Sequence, residues 1–426
     1  MILGVIADDF TGATDVASML VRAGLRTIQV IGVPDGSAPA QADAVVVALK
    51  SRTVPAADAV RDSLAALQWL QAGGARQFYF KYCSTFDSTD RGNIGPVTEA
   101  LLEALGSDFT IACPAFPENG RTVFRGHLFV GDQLLSDSGM RNHPLTPMTD
   151  ANLVRVLQSQ CRGRVGLVSY ETVGQGVEPL RAALEAERAK GTRIAVVDAI
   201  DNQALRTMAA ACSGLPLVTA GSGVALGLPA VYEAMGLMTP DAKAAQLPAV
   251  GGSAAVLSGS CSKATNDQVA HWVAQGLPAF CVNPRALAGG DDIAAEALKW
   301  AAARVDEPVL VYATAHPDEV RAVQTELGAE RAGHLVEACL ARIAQGLVQT
   351  GARRLIVAGG ETSGAVVQAL GIAQLRIGAP IDPGVPWTLA QIQSPSSPQR
   401  QPLLLALKSG NFGSIDFFTK ALSLVY

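Results

Sequence analysis

Along almost the whole chain, short apolar segments alternate with amphipathic stretches of helix length. A half-buried strand has a period of two and a helix a period near 3.6, so this alternation constrains the fold more than any other feature. It is the pattern of βαβ units, whose strands pair in parallel and are covered by helices. In the first half the spacing predicts strands at Ile2 to Ala7, Thr27 to Ile31, Ala44 to Leu49, Gln77 to Tyr82, Thr110 to Cys113, Val165 to Ser169, Ile194 to Val197 and Leu217 to Ala220. In the second it predicts Ala255 to Ser258, Val309 to Ala313, Leu355 to Ala358 and Leu403 to Leu407. Ligands of such folds gather at the carboxyl ends of the strands.

A chain of 426 residues exceeds what one core usually serves. Between Gly236 and Gly252 the periodicity lapses and two prolines appear, which reads as a linker. The expectation is α/β, with two doubly wound, mainly parallel domains: an N-terminal domain over 1–238, a linker over 239–252 and a C-terminal domain over 253–426, with a substrate cleft between them. Thr122 to Val130 and the Leu134-Leu135 pair, set off by glycine turns, predict a β ribbon inserted in the first domain. A homo-oligomer contact is an alternative role for it. The polar IQSPSSPQRQ around Ser394 reads as a loop.

Composition removes several function classes. A net charge of -5 without a Lys/Arg stripe gives no electrostatic footprint for nucleic acid. No apolar run reaches the roughly 18 residues that span a bilayer, and the N-terminus begins as a strand without a signal pattern, so a cytoplasmic protein without a membrane partner is expected. The seven cysteines contain no C-x-x-C pair and indicate neither a disulfide framework nor a zinc site.

Polar residues at strand ends carry the chemistry. In ADDFTGATD, Asp8 and Asp9 stand together where the first strand stops, followed by Thr11, Gly12 and Asp15. Capping of the next helix explains one acidic residue. Two in succession suggest hydroxyl binding, acceptance of a hydroxyl proton, or Mg2+ held through oxygen. KYCSTFDSTDRGNIGP then crowds Lys81, Ser84, Asp87, Ser88, Asp90 and Arg91 into one loop, a donor density that suits an anionic polyhydroxylated small molecule. Arg121, Arg125, His127 and His143 in and after the ribbon add anion contacts, although a lone loop histidine is as often structural.

The second half holds three glycine-rich turns, SGSCSKATNDQ, AGGETSGAVVQALG and KSGNFGSIDFF, each after a predicted strand and before a helix. Small residues allow close backbone approach there, and free amides at a helix N-terminus attract phosphate. No G-x-x-x-x-G-K-[ST] loop, G-x-S-x-G elbow or H-E-x-x-H occurs. GSGVALG, Gly221 to Gly227, only approximates a dinucleotide fingerprint, leaving an NAD(P)-dependent dehydrogenase and a non-catalytic sugar-acid sensor as rival readings.

Taken together, ADDFTGATD, KYCSTFDSTDRGNIGP, HPLTPM, AGGETSGAV and LKSGNFG resemble the four-carbon acid sugar kinases over the full chain. The wording KYCSTFDST and KSGNFG is most similar to the 3-oxo-tetronate 4-kinase branch, with the threonate and erythronate kinases as the alternative. The resemblance implies ATP with Mg2+ as cofactors and phosphorylation of the C4 hydroxyl of a four-carbon sugar acid. It implies that Asp8 and Asp9 are catalytic, and that Thr11, Gly12, Lys81, Ser84, Asp87, Ser88, Arg91 and His143 bind the acid. On the nucleotide side it implies Ser258 and Ser260, the turn Gly359, Gly360, Glu361, Thr362, Ser363 and Gly364, and the turn Lys408, Ser409, Gly410, Asn411 and Gly413. Metal ligands are left open.

Overall fold

A computed structural model describes residues 1–36, 38, 42–143, 145–394 and 397–424. The chain divides into two compact units, Met1–Ala245 and Gln246–Tyr426. In the first unit β1 (Leu3–Ala7), β2 (Thr27–Ile31), β3 (Ala44–Ala48), β4 (Gln77–Lys81) and β5 (Thr110–Cys113) precede a ribbon of β6 (Arg121–Phe124), β7 (His127–Val130) and β8 (Gln133–Leu134). After it come β9 (Arg164–Val168), β10 (Thr192–Val197) and β11 (Leu217–Ala220). The strands other than the ribbon lie in the order β2-β3-β1-β4-β11-β5-β10-β9, and every pairing is parallel. Nearly continuous burial of LGVIA, AVVVA and QFYFK follows from coverage on both faces.

In the second unit β12 (Ser253–Ser258), β13 (Ala279–Cys281), β14 (Val309–Tyr312), β15 (Ala352–Ala358), β16 (Gln374–Asp382), β17 (Val385–Ser394) and β18 (Ser397–Lys408) follow, in the order β13-β14-β12-β15-β18-β17-β16. Its core packs Trp272, Trp387, Phe417 and Phe418 against the sheet. The two phenylalanines open the last helix, Phe417–Ser423, and fix the turn before it. Burial of each is worth roughly 1.5–3 kcal/mol.

The parallel strands lie close to where periodicity predicts them, except β13, a three-residue edge strand paired with β14 that was not expected. The antiparallel pairs β16–β17 and β17–β18 do not follow from it. Pro380 and Pro386 argue against strands, and they are accommodated where the β16–β17 register shifts. The polar stretch around Ser394, expected as a loop, instead forms the facing ends of β17 and β18, residues 395–396 lying outside the described residues. No helix among the described residues is long and apolar enough to cross a membrane.

The approximate dinucleotide fingerprint is a packing motif. A Cβ on Gly221 would lie 2.7 Å from the Pro114 carbonyl, and one on Gly227 would lie 2.6 Å from Ala209 Cβ. These glycines let the chain approach neighbouring backbone and helix.

Candidate active site

In the first unit the loops after β1, β3 and β4 converge. The β1–β4 register sets Ala7 beside Lys81, and the Asp8 amide donates to the Lys81 carbonyl at 3.1 Å. The amides of Ser51 and Arg52 donate in turn to the Asp8 carbonyl at 3.0 and 3.2 Å. Arg52, which the sequence reading did not single out, lies at the centre. Its guanidinium spans Asp8 with bonds of 2.9 and 2.8 Å, reaches Asp9 Oδ1 at 2.6 Å, and lies 3.7 Å from Asp87. The paired aspartates are therefore not left to repel each other, because one partly buried cation bridges them. The polar stop after β3 was the signal for it.

Asp9 also caps the helix Phe10–Arg22, accepting from the Gly12 amide at 3.0 Å and from Thr11 Oγ1 at 2.7 Å. Capping and pairing thus coexist in one residue. Burial opposes ionisation of Asp9, but Arg52, Lys81 and these hydrogen bonds outweigh it and hold its carboxyl below the ordinary range. For Asp8 burial outweighs Arg52 and the carboxyl is raised. The two carboxylates are chemically unequal.

Lys81 is almost fully buried, and among the described residues no carboxylate oxygen comes within 4.0 Å of its ammonium. A Cβ on Gly12 would lie 2.7 Å from Lys81 Nζ and would collide with Asp9 Oδ1. Glycine is required at this point of the helix because the ammonium and the cap close over it. Asp15 turns into the same region; Ser222 Oγ donates to its Oδ2 at 2.5 Å, while its buried Oδ1 has no partner among the described residues. Burial pushes its carboxyl up to about 7. From the ribbon, Arg121 extends toward Cys83, Asp87 and Asp15, burial lowering its guanidinium and these groups opposing that.

The loop after β4 is held in a special conformation. Phe86 and Asp87 have φ of 65° and 48°, a left-handed region unfavourable for non-glycine residues. Phe86 is anchored edge-on to Tyr82, and Thr85 Oγ1 donates to Asp87 at 2.7 Å. Asn93 donates to the carbonyls of Ser51 and Val54 at 2.8 and 2.9 Å, tying down the Arg52 loop. Ser84 is buried beside this turn, and Ser88 Oγ pairs with Gln160 at 3.2 Å. Arg91 is exposed, and His143 Nδ1 contacts Thr146 Oγ1 within its own loop at 2.9 Å.

In the second unit the β12–β15–β18 register sets Ser258, Ala358 and Lys408 side by side at their carboxyl ends. The three glycine-rich turns are sewn together beyond them. The Gly359 amide donates to the Lys408 carbonyl at 2.8 Å, and Ser262 Oγ donates to the Gly410 carbonyl at 2.5 Å. Gly359 has φ of 124°, and a Cβ there would lie 3.2 Å from the Ser260 amide. One on Gly410 would lie 2.5 Å from Ser260 Oγ. Helices begin at once after the first two turns, capped by Ser262 and Gly359. The third differs from expectation, since its helix starts only at Phe417 and does not stand directly behind the turn. Ser258 Oγ pairs with Thr314 Oγ1 at 2.6 Å, and Thr362, Ser363 and Gly364 are buried in the helix Gly360–Ala369. Glu361 and Asn411 are exposed.

One unit thus gathers carboxylates and buried cations at its strand ends, and the other joins three glycine-rich turns at its own. Residues 3–228 match the sugar-binding N-terminal domain family and residues 255–418 the nucleotide-binding C-terminal domain family. The chain belongs to the four-carbon acid sugar kinase family. It is 61% identical over 424 residues to the 3-oxo-tetronate kinase of Cupriavidus necator, covering 99% of this chain and 96% of that protein. It is also 61% identical over 421 residues to that of Burkholderia multivorans, with the same coverage. Among solved structures it is similar to a Salmonella typhimurium LT2 protein named as a tRNA synthase (TM-score 0.85, 45% identity, covering 100% of this chain and 99% of that one). A Haemophilus influenzae protein of family DUF1537 is similar too (TM-score 0.75, 46% identity, 99% of each chain).

Proposed function

We propose that the protein transfers the γ-phosphoryl group of ATP to the C4 hydroxyl of 3-oxo-tetronate, the substrate in the names of its relatives. The observation that carries this reading is the buried ammonium of Lys81, which among the described residues makes no direct ion pair, beside an Arg52-bridged pair of aspartates. Asp9 and Asp15 act on this ammonium through space without touching it, so an anionic ligand in direct contact would stabilise it further; the substrate carboxylate supplies one, with Arg121 as the second cation. Polar hydroxyls of the acid suit Asp9, Asp87 and Asp15.

The division of labour between the aspartates follows from their environments. Asp9 is committed to the helix cap and is held ionised, so it orients. Asp8, raised by burial, accepts the proton as the C4 oxygen bonds to the γ-phosphorus, the γ-phosphorus to β-oxygen bond breaks and ADP departs. The amides of the three turns hold the phosphates. Among the described residues no cluster of three His, Cys, Asp or Glu could hold a metal ion, which suits Mg2+, since that ion takes most of its protein-site ligands from phosphates and water. When bound it neutralises phosphate charge. ATP as donor and cysteines that are all unbonded suit a cytoplasmic enzyme.

The test is ADP release with Mg-ATP and 3-oxo-tetronate, D-threonate or erythronate, with 31P NMR of the product. Release dependent on 3-oxo-tetronate, with a primary phosphate ester as product, is expected. Folded protein that releases no ADP in response to any of these acids refutes the kinase reading, and preference for D-threonate refutes the substrate.

A further inference from the structure

The last strand ends in a lysine that does not reach outward. Lys408 is fully buried, and its ammonium shares its three N–H groups among Thr265 Oγ1 at 3.0 Å and the carbonyls of Ser409, Gly410 and Phe412 at 3.1, 3.0 and 3.2 Å. All four acceptors are neutral oxygens, and three belong to the turn that follows it. Gln268, also buried, continues the row. Its amide NH2 shares two N–H groups among the carbonyls of Phe412, Gly413 and Ser414 at 3.1, 3.1 and 2.9 Å. Ser262 and Thr265 add donors to Gly410 at 2.5 and 2.8 Å.

Between them these side chains take up the carbonyls of residues 409, 410, 412, 413 and 414 from one side. Among the described residues no acceptor meets the amides of Ser409, Gly410, Asn411 or Gly413. A peptide's carbonyl and N–H point in opposite directions, so drawing the carbonyls of 409, 410 and 412 inward presents the amides of Gly410, Asn411 and Gly413 outward, while the Ser414 amide donates to Asp382 Oδ2 at 2.8 Å. This turn lacks a helix behind it, so its anion-binding face depends on that orientation alone.

We propose that Lys408 and Gln268 are positioning residues for the nucleotide, holding the terminal turn with its carbonyls inward so that its amides face the phosphates. This rests on the reading of the turn as part of the nucleotide site. Lys408 is then an internal hydrogen-bond donor for the loop, its ammonium pulled down by burial to about 7, and makes no contact with phosphate. Its role is opposite to that of a lysine that supplies charge to the transferred group, and the two differ kinetically.

The experiment compares Lys408→Met, Gln268→Leu and Gly410→Ala in the full chain, measuring ADP affinity by calorimetry and KM for ATP and for 3-oxo-tetronate separately. Lys408→Met and Gln268→Leu are expected to raise the ADP Kd and the ATP KM by about tenfold or more, from loss of charge-assisted or multiple hydrogen bonds. kcat at saturating ATP and the acid KM stay within about threefold. A loss concentrated in kcat overturns the proposal by making Lys408 a direct phosphate ligand. Equal losses for both substrates overturn it by making the role one of general folding. Should Lys408→Met not fold, Gln268→Leu carries the same test. Gly410→Ala, whose Cβ would lie 2.5 Å from Ser260 Oγ, separates the two levels. If it leaves ADP affinity intact, the nucleotide reading of this turn fails; if it alone weakens binding, only the positioning role fails.

Discussion

Replacing Arg52 with methionine removes the cation that bridges Asp8 and Asp9 while keeping most of its volume. At 2.8 Å the attraction between Arg52 and Asp8, through an effective dielectric of about 20, has an upper bound of about 6 kcal/mol. Much of it offsets the desolvation of both ions. The measured consequence of breaking a buried pair is about 3–5 kcal/mol, because a charge is left without its partner. For a unit of this size that corresponds to a fall of about 6–20 °C in its melting temperature at pH 7.5. The loss has a defined pH dependence. Burial already raises Asp8 above its ordinary value, and Arg52 is the main influence opposing this, so the variant raises it further. A carboxyl raised in the folded state contributes stability that is full below its unfolded value of 3.8 and is lost as pH rises through the folded one. The deficit of Arg52→Met therefore shrinks between pH 7.5 and 5, and the double variant Arg52→Met with Asp8→Asn recovers part of it at pH 7.5. Thermal melts followed by near-ultraviolet circular dichroism at both pH values measure this. A deficit below about 1 kcal/mol, or one independent of pH, refutes the view that Arg52 holds a buried carboxylate pair.

Two further outcomes follow from the same cluster. Asp8→Asn is expected to lower kcat by about 10^2-fold or more through loss of the proton acceptor. Asp9→Asn keeps part of the cap and lowers kcat less, while reducing stability by about 1 kcal/mol; steady-state kinetics and urea melts separate the two, and the reverse ranking sinks the assignment. Asp15 is raised by burial to about 7, so its stability contribution is full below pH 3.8 and is lost by about pH 7. Asp15→Asn should be more stable than the wild type at pH 8 and show a smaller advantage at pH 5. An advantage equal at both pH values would show that Asp15 is not protonated in the fold.

The βαβ order, the parallel strands other than the three-residue β13, the ribbon and the strand-end position of Asp8, Asp9, Lys81 and the glycine turns were all determined by local sequence. Hydrophobic period and turn residues act over a few positions and need no distant partner. The β16–β18 hairpins were hidden because their prolines contradict strand propensity and only the fold supplies register shifts to absorb them. Tertiary structure alone decided that Arg52, 44 positions away from Asp8, would join the two aspartates, and that Asp15 would be left with an unpaired oxygen. It also decided the sense of Lys408. From sequence a lysine before a glycine-rich turn reads as a phosphate ligand, whereas in the fold its ammonium points back into the turn's own carbonyls. Which way a charged side chain faces is set by burial and by the acceptors that other strands bring to it, and neither quantity is local in the chain.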